Sequence, residues 1–107
     1  MALYFNITGA SSAAAELTRE LLIPGNNSRV KKIQLTNIQG VYPCTFDLYI
    51  EKVLKGKFYL LKGVELSVGT TFTYEIPKFK NSENEFGLYL KLNKSASEIP
   101  SVDVILY

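Results

Sequence analysis

Histidine and tryptophan are missing from this 107-residue sequence, and cysteine and methionine occur once each. Without histidine there can be no Ser-His-Asp or Cys-His triad, no imidazole general base and no histidine metal ligand. The lone cysteine, Cys44, excludes an intrachain disulfide and a thiolate zinc site. No run approaches the ~20 apolar residues that a membrane-crossing helix needs. Ala2–Ile7 is apolar but short and has no basic segment before it, so a secretory leader is not expected. A reducing cytosol is then the default, and the N-x-S/T triplets at Asn6, Asn26 and Asn93 carry no glycosylation reading. Charge of one sign is lacking as well. Twelve Lys+Arg against ten Asp+Glu leave a net charge of +2, well short of a dedicated nucleic-acid binder. No glycine-rich phosphate loop exists, since Gly63, Gly69 and Gly87 stand isolated. The carboxylates are dispersed. The nearest pair, Glu83 and Glu85, flanks Asn84 in a polar stretch where solvation, not a hard cation, is the ordinary role. No enzyme, cofactor or metal is therefore expected.

What is present is alternation. In "CTFDLYIEKV" Cys44, Phe46, Leu48 and Ile50 take one face and Thr45, Asp47, Tyr49 and Glu51 the other. The same period of two runs through "TFTYEIPKF" (Phe72, Tyr74, Ile76), "GLYLKLN" (Leu88, Leu90, Leu92) and "SVDVILY" (Val102, Val104, Leu106). Each reads as a strand with one buried face. Cys44 is then a small core residue, and Asp47 and Asp103 fall on outer faces, where cross-strand pairing with lysine is usual. Turn residues separate the runs: Pro24-Gly25-Asn26-Asn27, Gln39-Gly40 with Pro43, Lys55-Gly56-Lys57, Val68-Gly69, Lys80–Asn84 and Lys94–Pro100. About eight short strands over residues 1–107 predict an all-β fold, a single antiparallel β-sandwich with jelly-roll or immunoglobulin-like connectivity. "SSAAAELTRELL" (Ser11–Leu22) has helix propensity. Its spacing to the next strand favours a strand over Leu17–Ile23, with Leu17, Leu21 and Ile23 facing one way and Arg19 breaking the pattern.

In "LLIPGNNSRVKKIQLTN" the Pro-Gly turn is read as the corner between two paired strands. Leu21 and Ile23 supply core before it, and Val30, Ile33 and Leu35 after it. Val30 and Ile33 have opposite parity, so a bulge near Lys31-Lys32 would let both face inward. A regular ladder there would leave one outside, as a subunit contact. The basic cluster Arg29, Lys31 and Lys32 reads as a solvated or partner-facing edge. Tyr49, Tyr89 and Tyr107 point away from the buried faces and are candidate interface anchors. The closing strand runs to Tyr107, so that residue is expected on or beside the sheet.

The order of these pieces resembles small β-sandwich virion proteins of tailed bacteriophages. In those proteins a Pro-Gly turn ("LLIPGNNS") precedes a strand ending in Asn ("RVKKIQLTNIQG"). A strand like "TFDLYI", a hairpin and a Thr-rich strand ("TFTYEIP") follow, and a "VDV" strand ("SVDVILY") closes the chain. The resemblance runs from about Leu17 to Tyr107, and the helix-prone Ala13–Glu20 stretch departs from it. It implies a non-enzymatic structural subunit that decorates or joins capsid, neck or tail, assembled in the host cytoplasm and carried in the virion. It also implies a homo-oligomer whose partners are other virion proteins, with no membrane and no cofactor. The candidate subunit interface is then Tyr49, Tyr89, Tyr107, Arg29, Lys31 and Lys32. Two other classes stay open. One is a carbohydrate-binding module of a phage adhesin, with exposed tyrosines as stacking platforms. The other is an OB-like single-strand binder using "KGKFYLLKG", Lys31, Lys32, Lys91 and Lys94, although acidic residues interleave with those lysines.

Overall fold

The computed structural model describes residues 3–8, 16–25, 30–39, 42–93 and 100–107. Asn26, Asn27, Arg29, Gly40 and Lys94, and residues 11–15 of the helix-prone stretch, lie outside the described residues. Among the described residues eight strands follow one another: β1 (Leu3–Thr8), β2 (Glu16–Leu22), β3 (Lys32–Asn37), β4 (Cys44–Lys52), β5 (Gly56–Leu66), β6 (Thr71–Glu75), β7 (Gly87–Asn93) and β8 (Ser101–Leu106). They form two antiparallel four-stranded sheets, ordered β1-β8-β3-β6 and β2-β7-β4-β5.

The pairings are nested. β1 pairs with β8, β2 with β7, β3 with β6 and β4 with β5, as if one long hairpin had been drawn out. Rolling that hairpin brings β8 against β3 and β7 against β4. This is the jelly-roll arrangement, and it excludes the immunoglobulin-like alternative. Only β4 and β5 pair as sequence neighbours. The Pro24-Gly25 turn is consequently not the corner between paired strands that the sequence predicts. It carries the chain from one sheet to the other.

The alternating positions fill one core. Leu88, Leu90 and Leu92 of β7 are fully buried, as are Val102 and Leu106 of β8 and Ile33 and Leu35 of β3. Phe46 meets Phe72 of the opposite sheet edge-on, with ring centroids 5.6 Å apart. Burial of each such side chain stabilises the fold by about 1.5–3 kcal/mol. A strand, not a helix, spans Glu16–Leu22. In it the register slips between Glu20 and Leu22, so Leu21 and Leu22 are both buried and Ile23, expected in the core, turns to solvent. Arg19 sits level with core-facing Leu90, and its guanidinium lies 5.3 Å from the Phe5 ring, covering the open side between the edge strands β1 and β2.

A bulge does open β3. The backbone carbonyl of Tyr107 accepts hydrogen bonds from the N–H groups of both Lys31 and Lys32, two residues against one. Ile33 is buried, and Val30 is half-buried against the core. The β4–β5 turn lies two residues earlier than the sequence predicts. It is closed by Lys55 N–H donating to the Lys52 carbonyl (3.0 Å), and Gly56 already belongs to β5.

Candidate functional site

The outer face of the β2-β7-β4-β5 sheet carries the densest group of candidate residues. Alternation along β4 turns Asp47, Tyr49 and Glu51 away from the core. The ladder then sets Tyr49 level with Tyr59 of β5 on one side and Tyr89 of β7 on the other, and Tyr89 level with Glu20 of β2. One row, Tyr59–Tyr49–Tyr89–Glu20, thus crosses the whole sheet. Tyr49 and Tyr89 stack at 5.4 Å with planes 11° apart, and Tyr59 tilts against Tyr49 at 5.4 Å. Lys57 Nζ sits 4.9 Å from the Tyr49 ring and Lys62 Nζ 4.4 Å from the Tyr59 ring, as cations over aromatic faces. Tyr89 Oη donates to a Glu20 carboxylate oxygen at 2.8 Å. Partial burial, then that bond and the charge of Glu20, push the Tyr89 phenol up to about 12.

The expectation of three exposed tyrosines is met unevenly. Tyr49 does face outward, yet only 3% of it is exposed, because in-register tyrosines flank it and Lys57 lies over it. Tyr89 is half-buried, whereas Tyr59 is exposed. Tyr107 lies on the other sheet, exposed, with Lys32 Nζ 4.8 Å from its ring and Lys31 beside it in solvent. The candidate interface therefore divides into two places, with Tyr49 and Tyr89 on one sheet and Tyr107, Lys31 and Lys32 at an end of the other. Arg29 lies outside the described residues. Beside that second group is an open cleft with Val30, Ile76 and Phe79 along it and Lys31, Lys32, Lys78 and Glu75 among its polar lining.

Asp47 has the cross-strand lysine expected of it, Lys62 of β5, and a second partner besides. It is buried, and Oδ1 accepts the Gly63 N–H at 2.7 Å while Oδ2 lies 3.6 Å from Lys62 Nζ. Gly63 stands at φ +64° where β4 and β5 slip register, so the carboxylate clasps a bulge. Asp103 hydrogen-bonds the Asn6 side chain on β1 instead of a lysine. Glu85, half of the candidate acidic pair, lies 3.4 Å from Lys52 Nζ. Among the described residues no three His, Cys, Asp or Glu gather as metal ligands would. Cys44 is buried, which pushes its thiol up and away from the reactive thiolate.

The outer face of the β1-β8-β3-β6 sheet is different in kind. Hydroxyls and amides pair across it, Thr36 with Thr71 at 3.0 Å and Thr8 with Ser101 at 3.0 Å. Such short, satisfied groups offer little area for an anchor; the apolar area on this face is at its other end, where Tyr4, 73% exposed, lies level with Ile105. The aromatic row is the distinctive surface of the molecule, and nothing outside the molecule supplies a comparison. The chain matches no family model, no curated protein and no solved structure. Sequence reasoning found Tyr49 and Tyr89 but not Tyr59, Glu20 or Lys57 as their partners. The period of two gives each residue's face, and only the strand pairing gives the row.

Proposed function

We propose that this chain is a non-enzymatic structural subunit of a tailed-bacteriophage virion, working in copies and docked through the aromatic outer face on capsid, neck or tail. The observation that carries this reading is the Tyr59–Tyr49–Tyr89–Glu20 row. Its rings are held by stacking, by cations and by a hydrogen bond, so little side-chain freedom is left to lose on docking. Aromatic side chains with a charged surround are the usual anchors of protein interfaces. A stacking platform for sugar needs an open ring face, and Lys57 lies over the central ring. The jelly-roll arrangement also recurs in viral capsid domains, which supports the reading by fold analogy alone.

Native mass spectrometry of the purified protein, with electron microscopy of the particle carrying it, tests the proposal. The expected outcome is an oligomer in solution or an ordered position on the particle, with attachment to the particle weakened by Tyr59→Ala while the fold stays intact. A monomer absent from every particle would overturn it.

A further inference from the structure

The two ends of the sandwich carry complementary features that the aromatic face does not use. At one end the β4–β5 turn projects Val53 and Leu54 into solvent, 83% and 103% exposed. Leu54 sits at φ +71°, a left-handed position that glycine or asparagine usually takes at the third place of a turn. Backbone strain and bare apolar surface thus coincide on one leucine, and neither serves this chain's own core. Of the three lysines from residue 52 to 57, Lys52 pairs with Glu85 and Lys57 lies over Tyr49, and Lys55 is the exposed charge at the tip itself.

The opposite end is built around Asn37. Its side chain is buried, donates to the backbone carbonyls of Leu66 (3.0 Å) and Tyr42 (3.3 Å), and accepts the Gln39 N–H (2.9 Å). Its backbone bonds Gly69 and Thr70. The loops after β3 and β5 are thereby pinned together, and each leaves apolar side chains in solvent: Ile38 and Tyr42 from one, Val68 from the other. Among the described residues of 36–45 and 65–71, the one charge is the exposed Glu65.

We infer that the β4–β5 tip of one copy docks on the Ile38–Tyr42–Val68 surface of a second copy, with Lys55 facing Glu65. This rests on the proposed function and adds to it the surfaces through which copies join. The contact is heterologous, so copies add head to tail, into a ring if the rotation closes and a filament if it does not. The cleft lined by Lys31, Lys32 and Lys78 is the poorer receiving surface, because it sets three lysines and the single Glu75 against a lysine-bearing tip.

Disulfide trapping tests this. Leu54 and Val68 are separated by the length of β5, roughly 35 Å for an eleven-residue strand. A bond between cysteines placed there must join two molecules, because a disulfide needs Cα atoms within about 7 Å. Mixing Leu54→Cys with Val68→Cys protein under mild oxidation is expected to give a mixed dimer, and the double variant a ladder. Leu54→Gly, which relieves the backbone and removes the side chain, is expected to abolish association with Tm unchanged or raised. Cross-linking of Leu54→Cys to itself as fast as to Val68→Cys overturns the inference, and so does no cross-link above wild type. A chain that stays monomeric and floats with phosphatidylglycerol vesicles would overturn it too, assigning the tip to lipid. An oligomer that survives Leu54→Gly overturns this contact and leaves the proposed function standing, whereas a monomer absent from particles removes both.

Discussion

At the residue scale, the polar groups that face outward are positioned as tightly as the core. Asp47 is the clearest case, since its carboxylate satisfies the Gly63 N–H inside a bulge. Asp47→Ala leaves that donor without its partner and should cost about 1–3 kcal/mol in denaturant unfolding, while Asp47→Asn, which keeps an acceptor, should cost less. Tyr89 gives a pH signature. Its folded-state value of about 12 exceeds the ordinary 10. The stability it contributes is therefore fully present below about pH 10 and is lost as pH rises from there through 12. Titration of the phenolate by ultraviolet absorbance should show Tyr89 ionising late in the native protein. Glu20→Gln, which removes the carboxylate charge beside the phenol, should bring it earlier. Cys44 should resist thiol reagents until the protein unfolds, which makes the wild type a clean control for trapping.

At the element scale, the legible and illegible parts divide by physical cause. Strand β7 could be read directly, because Leu88, Leu90 and Leu92 alternate with Tyr89 and Lys91 and nothing interrupts the period. In β2 the slip at Leu21 defeats parity: one extra residue reverses every face after it, and Ile23 moves outside. No local residue type marks that slip, so it cannot be read from composition. The aromatic row is illegible for another reason. Tyr49, Tyr59 and Tyr89 lie on three strands, and their alignment depends on register that two bulges help to set. Gly87 shows how close the neighbours come at the start of β7. A Cβ there would lie 2.9 Å from the Leu22 carbonyl oxygen and 3.2 Å from the Tyr89 ring. Gly87→Ala should consequently force β2 away from β7 or turn the Tyr89 ring, costing about 1–3 kcal/mol. Lower Tm together with an earlier Tyr89 titration would identify the ring as the part that moved.

At the scale of the whole molecule, the sequence allowed two connectivities because alternation says nothing of which strands pair. The fold chosen is rich in distant pairings, with Leu3 opposite Leu106 and Glu16 opposite Asn93. Loop closure must come before most of these contacts form, so refolding is expected in milliseconds to seconds, not microseconds. Stopped-flow fluorescence of the tyrosines would measure it, and microsecond folding would contradict the nested pairing. The nesting has a further consequence during synthesis. β1 leaves the ribosome first, and the strand that it pairs with leaves last. The β4–β5 hairpin is complete at Leu66, with β6, β7 and β8 still to come, while β1 has no partner to pair with until β8 arrives. Until β8 arrives, the apolar side chains that β1 turns inward have no paired strand beside them, so a chain interrupted before β8 should leave β1 unpaired.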